Sequence, residues 1–178
     1  MSCIPVCQSP ISQFIKISGR NCGAIYEPDT HVFRVQNPIV VEVNCVRYQL
    51  DEYHFHVPGE HEICSKIHNS ELHYVFVELF PGEKYLPIGS TDVCNGVSPD
   101  GRNTLAIGRV IKPTCGCSVD LTTLDVDLPC EYYEYDGSKT TENYNPVRWI
   151  VGGYPLKFKL SQLGPLQNLD GRIILHYK

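Results

Sequence analysis

Two short stretches of alternating character constrain this chain more than anything else in it. Glu52-Tyr53-His54-Phe55-His56-Val57 and Glu71-Leu72-His73-Tyr74-Val75-Phe76-Val77 both carry the period-two pattern and the aromatic and β-branched residues of strands. Successive side chains of a strand point to opposite faces. His54 and His56 therefore share one face, and Tyr53, Phe55 and Val57 take the other. Glu71, His73, Val75 and Val77 likewise share a face. Residues 57–70 are long enough to fold one strand back beside the other, so three imidazoles can converge on one point.

Three neutral imidazoles are a zinc-ligand set. A structural zinc site is normally closed by a fourth protein ligand, whereas three leave a position for water, which is the catalytic arrangement. The uncompensated dication then lowers the pKa of that water to about 7. Glu52 and Glu71 each precede a histidine by two residues on the same strand face. Each can accept the distal ring N–H and set the tautomer. His-x-His on one strand is by itself weak, because it is often surface decoration. His73 on a second strand, with a glutamate at both outer positions, is what makes the case for metal. His61, next to Glu60, reads as a buried hydrogen-bonding residue, and His68 and His176 as solvated positions.

The rest of the chain reads as mainly β. Val, Ile, Tyr and Thr abound, and 14 Gly and 13 Pro punctuate the 178 residues. Strands are predicted at His31–Gln36, Ile39–Val46, Glu52–Val57, Glu71–Phe80, Leu105–Ile111, Val147–Val151, Leu156–Leu160 and Arg172–Tyr177. Turns are expected at Pro58-Gly59, His68-Asn69-Ser70, Pro81-Gly82, Ser98-Pro99-Asp100-Gly101 and Gly152-Gly153. One short helix is expected near Asp120–Leu128. The length suits a single domain over residues 1–178. With 42% hydrophobic and 20% charged residues, the composition excludes a disordered chain. A net charge of −5 supplies no basic field for nucleic acid or an anionic membrane, and no apolar run approaches a membrane span. Nine cysteines, an odd number with no Cys-x-x-Cys pair, suggest free thiols. With no leader visible, the expected location is cytoplasmic. The alternative is a component of a particle, or an extracellular protein.

The run His54-Phe55-His56-Val57-Pro58-Gly59-Glu60-His61, followed by Glu71-Leu72-His73-Tyr74-Val75, resembles the zinc motif of α-class carbonic anhydrases in its compact bacterial form. A second block, Tyr132-Tyr133-Glu134-Tyr135-Asp136-Gly137-Ser138-Lys139-Thr140-Thr141 and then Val147-Arg148-Trp149-Ile150-Val151, is similar to that family's Tyr-x-Tyr-x-Gly-Ser-Leu-Thr-Thr segment and Trp-Ile-Val strand. Gln8-Ser9-Pro10-Ile11 and Gly164-Pro165-Leu166-Gln167-Asn168-Leu169-Asp170-Gly171-Arg172 resemble its N- and C-terminal motifs. The resemblance spans nearly the whole chain, with shortened loops. It implies a large twisted, mostly antiparallel sheet with few short helices. It also implies reversible hydration of carbon dioxide to bicarbonate by hydroxide on zinc.

Position by position, the resemblance makes His54, His56 and His73 the ligands of one zinc per chain. Thr140 would accept from the metal-bound hydroxide and donate to Glu60, a carboxylate that can only accept. Thr141, Val75 and Lys139 would line the substrate pocket. Glu52, Glu71, His61, Tyr135 and Ser9 would form the supporting polar network. His31 stands near the family's proton-shuttle histidine, and the alternative for it is an ordinary strand histidine. The sequence also departs from the family. Lys139 stands where Leu is usual, Glu142-Asn143 where Pro-Pro is usual, and Glu52 where Gln is usual. These departures, the trimmed loops and the cysteines keep a second reading open: a weak or inactive carbonic-anhydrase-like binding or structural module, within a larger assembly or viral particle. A zinc esterase is a third. The expected partner is a small molecule, carbon dioxide or bicarbonate. The sequence names no protein partner.

Overall fold

Eleven strands organise the residues that the computed structural model describes, which are 15–63, 66–88, 101–138 and 146–159. They are β1 Ile15–Ser18, β2 Ala24–Glu27, β3 Val32–Val35, β4 Val40–Val43, β5 Val46–His56, β6 Glu62–Ile63, β7 Lys66–Ile67, β8 Ser70–Leu79, β9 Thr104–Thr114, β10 Tyr132–Ser138 and β11 Pro146–Lys159. Nine form one sheet in the order β1-β4-β5-β8-β9-β11-β10, with β3 also paired to β5 and β2 to β3, while β6 and β7 make a small separate hairpin. Every pairing is antiparallel except β9 with β11. The expectation of a mainly β chain on one large, mostly antiparallel sheet holds.

Boundaries differ where local chemistry overrides the pattern. The stretch Ile39–Val46 is not one strand. It turns back at Asn44-Cys45, both with positive φ (51° and 65°), and Val43 faces Val46 across the turn. Two successive left-handed residues make the primed turn that suits a two-residue hairpin, here without the usual glycine. Gly152-Gly153 is not a turn either, because β11 runs through it with a register shift before Leu156. A Cβ at Gly152 would lie 2.7 Å from Pro129 Cβ and 3.1 Å from Arg109 Nη1. That glycine serves close approach. Of the expected Asp120–Leu128 helix only a 3-10 turn forms, at Leu121–Thr123, capped by Asp120 accepting from Thr122 N. Strands β1, β2, β6, β7 and β10 were not expected. The predicted strand Arg172–Tyr177 lies outside the described residues. Among the described residues no helix is long and apolar enough to cross a membrane. Cys22, Cys45, Cys115, Cys117 and Cys130 are free and exposed.

One irregularity positions the site. Leu50 pairs with Phe76, but Glu52 pairs with Val75, so Asp51 is an extra residue in β5. This β-bulge reverses which parity faces inward. Tyr48 and Leu50 before it, and Tyr53 and Phe55 after it, all join one apolar cluster with Leu72, Tyr74, Phe76, Leu105 and Ile107. Glu52, His54 and His56 therefore face the other side with His73 and Val75. The bulged Asp51 accepts from Arg34 Nη1 at 2.5 Å, and both side chains are largely buried.

Removing Asp51 leaves Leu50 and Glu52 as neighbours opposite Phe76 and Val75, an unbroken ladder. That deletion should keep the fold at a cost of about 3 kcal/mol, the scale for losing one partner of a buried ion pair. Deleting Tyr53 instead removes a buried aromatic and leaves either Glu52 or both His54 and His56 facing the apolar cluster, and should prevent folding. Circular dichroism and thermal unfolding of the two deletions check the contrast.

Candidate metal centre

Antiparallel pairing sets His54 opposite His73 and His56 opposite Glu71. Directly opposed residues share a sheet face, so three imidazoles meet as the alternation predicts. One ligand nitrogen from each of His54, His56 and His73 lies within 4.8 Å of the other two. His56 and His73 are buried and His54 is half-buried.

Each ring has a carboxylate behind it. His54 Nδ1 lies 2.9 and 3.1 Å from the two Glu52 oxygens. His56 Nδ1 is 3.2 Å from Glu60 Oε1, and His73 Nε2 is 2.9 Å from Glu71 Oε1. A carboxylate accepts, so each of these nitrogens is the protonated one. The opposite nitrogens then carry lone pairs. For His54 and His56 these are the Nε2 atoms, only 2.9 Å apart. Two lone pairs at that distance repel unless they share a cation. The donor set therefore fits a dication bound by three nitrogens, with the tautomers already set. Burial first, and then the neighbouring charges of His73 and His54, hold the His56 pKa well below its ordinary value. The ring is thus kept in the neutral form that ligates.

Glu71 is fully buried and takes four donors. Oε1 accepts from His73 Nε2 and from His61 Nδ1 at 2.5 Å, and Oε2 from the backbone N–H groups of Glu60 and His61, both at 2.9 Å. Burial alone would raise its pKa, but His61 and His73 outweigh it and hold the carboxyl well below its ordinary range. Burial pushes His61 down, and Glu71 more than restores it, raising the pKa overall. His61 Nε2 stands 2.5 Å from the Tyr135 hydroxyl, which donates to it in the neutral ring. His61, Glu71 and His73 also cluster closely enough to hold a metal. Their facing atoms are already joined by N–H···O bonds, so this trio is a support for the first site.

The sequence-predicted residues fall into three groups. His54, His56, His73, Glu52, Glu60, Glu71, His61, Tyr135 and Val75 come together. Val75 pairs with Glu52 on one side and Ala106 on the other, in a buried cluster with Val77 and Leu86. His31 is near but is not a strand residue. It closes the β2–β3 turn with φ 58°, its Nδ1 3.0 Å from the Tyr26 hydroxyl, and the next residue, Val32, pairs with His54. Ser9, Lys139, Thr140 and Thr141 lie outside the described residues.

Two further residues belong to the site. Trp149 sets its ring edge-on to His61 and His73, with centroids at 4.8 and 4.9 Å, and stacks on Tyr135. Gly108 pairs with His73, and a Cβ there would lie 2.8 Å from Glu71 Oε1. A lone glycine inside the predicted strand Leu105–Ile111 is the usual sign of such close approach.

No protein-family model matches the chain. A curated carbonic anhydrase of Pectobacterium carotovorum is 26% identical over 150 residues, covering 72% of this chain and 58% of that protein. The chain thus spans less than two thirds of that relative's length. Among solved structures, the fungal α-carbonic anhydrase of Aspergillus oryzae matches with a TM-score of 0.66 at 19% identity, over 93% of this chain and 75% of that one. The α-carbonic anhydrase of Thermovibrio ammonificans, in complex with the inhibitor sulfanilamide, matches with 0.65 at 21%, over 98% and 78%. That of Photobacterium profundum gives 0.63 at 17%, over 93% and 77%. The chain has the α-carbonic anhydrase fold; the motif residues 8–11, 139–141 and 164–172 lie outside the described residues.

Gly108→Ala should push the Glu71 carboxylate off its donors and cost about 1–3 kcal/mol, as overpacking does. The check is a lower urea midpoint with an unchanged slope.

Proposed function

We propose that this chain is a zinc-dependent carbonic anhydrase, a lyase that interconverts carbon dioxide and bicarbonate. The observation that carries the proposal is the meeting of His54, His56 and His73, each backed by a carboxylate, in an α-carbonic anhydrase fold. These three histidines would hold the zinc. Bound there, zinc supplies a Lewis acid and activates water near neutral pH.

The chain's own residues do the rest. Val75 and Val77 offer carbon dioxide, which is apolar, an apolar wall beside the ligands. Glu60 supports an aiming role for Thr140. Its Oε1 faces His56, while Oε2 is buried with no hydrogen-bond partner among the described residues. A buried carboxylate oxygen without a donor is costly. The hydroxyl of Thr140, in the segment 139–145 that joins β10 to β11, would supply the donor. Thr140 would then orient the reacting oxygen, with Thr141 and Lys139 at the pocket rim. Ser9 would join the network of His61 and Tyr135. His31 would carry the released proton toward solvent, as a half-buried imidazole beside the ladder that holds His54.

Purified protein should contain close to one zinc per chain by metal analysis, and His73→Ala should lose most of it. Chelation should lower the Tm of the wild type, since a metal bound only by the folded state adds to its stability.

Thr140→Ala should leave zinc content and Tm intact. It should slow stopped-flow carbon dioxide hydration by roughly ten- to a thousand-fold, the scale of one lost transition-state hydrogen bond. Zinc-loaded wild type with no hydration above background, unrestored by Lys139→Leu, would turn the assignment to a binding or structural module.

A further inference from the structure

The sheet carries an unbalanced cluster of charge at one corner. Beyond Ile111, which pairs with Ser70, β9 runs on beside β11 alone among the described residues. There Lys112 stands opposite Lys157, and Thr114 opposite Lys159. Opposed residues share a sheet face, so the three lysines stand together, while Phe158 turns the other way into the apolar cluster. Among the described residues none of the three lysines makes an ion pair, and like charges directly opposite one another are unfavourable. At this corner the chain leaves β9 as Cys115-Gly116-Cys117. Both thiols are free and exposed. Gly116 N donates back to Thr114 Oγ1 at 3.1 Å. Apart from the adjoining residues, only the Thr114 side chain comes within 4 Å of where a Gly116 Cβ would lie, so the space around the glycine is open. One residue separates the two cysteines, and their Cα atoms are at most about 7 Å apart.

We propose that Cys115 and Cys117 form a metal site apart from the histidines, one that holds a monovalent thiophilic ion, copper(I), between two thiolates beside the lysine cluster. Thiolate sulfur is a soft ligand and selects soft ions. Two ligands leave zinc half coordinated, whereas copper(I) is satisfied by two. Binding releases both thiol protons to solvent. One positive charge between two thiolates makes a complex of net charge minus one. Lys112, Lys157 and Lys159 supply the opposite charge, and the complex relieves their mutual repulsion. From Gly108, which pairs with His73, to Thr114 is about 20 Å of strand. The site is therefore remote from His54, His56 and His73 and does not rest on their holding a metal.

Copper(I) is offered to the full chain, without oxygen, from its coloured complex with a chromophoric chelator, and loss of colour reads the transfer. Cys115→Ser and Cys117→Ser should each weaken the tightest binding step roughly a hundredfold, the scale of losing a second ligand held on the same chain. Cys22→Ser, Cys45→Ser and His73→Ala should leave that step unchanged. Lys157→Met should weaken it by up to about fivefold at low salt, and the difference should vanish at high salt. A further readout needs no variant. In the wild type, bound copper(I) should shield Cys115 and Cys117, but not Cys22 and Cys45, from alkylation followed by mass spectrometry. Wild-type affinity in both the Cys115→Ser and Cys117→Ser variants, equal alkylation at all four thiols, or loss of the ion in His73→Ala alone would each overturn the site. Unchanged affinity in Lys157→Met at low salt would overturn the role of the lysines.

Discussion

The buried carboxylate of Glu71 is the interaction on which the rest of the site depends. It leaves water completely, which an uncompensated charge cannot do cheaply. Four donors compensate it: two imidazoles and two consecutive backbone N–H groups. Those donors come from separate parts of the chain. His73 shares its strand, while Glu60 and His61 lie in the segment after β5. Through His61 the network reaches Tyr135 on β10, and Trp149 on β11 closes against both rings. Gly108 on β9 lends the space the carboxylate occupies. One charge therefore ties together β8, β9, β10, β11 and the loop that delivers Glu60.

The sheet separates two kinds of chemistry by parity. One face buries Tyr53, Phe55, Leu72, Tyr74, Phe76, Leu105 and Ile107, and this apolar cluster supplies much of the driving force for folding. The opposite face carries the histidines and glutamates, with a smaller apolar cluster around Ala106, Val110, Val147, Trp149 and Val151. A polar site can be buried here because its strands are held from behind. The bulge at Asp51 reconciles the two demands within β5, and Arg34 compensates the charge it brings in.

The proposed activity would need rigid ligands and an apolar approach for a gas substrate, and both would grow from these features. The rings are locked by acceptors at their far nitrogens, so a metal would bind with little reorganisation. Val75 stands on the same face, between Glu52 and Ala106 in the ladder.

The alternation of Glu52–Val57 and Glu71–Val77 was by itself enough to determine the sheet character, the convergence of His54, His56 and His73, and the glutamates behind two of them. Side-chain direction in a strand is a local property, so sequence carries it. Tertiary structure decided the remainder, because it depends on residues distant in the chain meeting. The bulge is invisible until Phe76 and Val75 supply the register. Glu60 behind His56 arises only when the segment after β5 folds back on that strand, and Trp149 against His61 and the space at Gly108 only when β9 pairs with β8 and β11 with β9. The parallel run of β9 with β11 carries the chain straight through Gly152-Gly153, where local chemistry alone reads a turn. At Asn44-Cys45 the reverse holds: an apparently continuous strand folds back, since Val41 and Val43 find their partners in β5 rather than in an extension of their own strand.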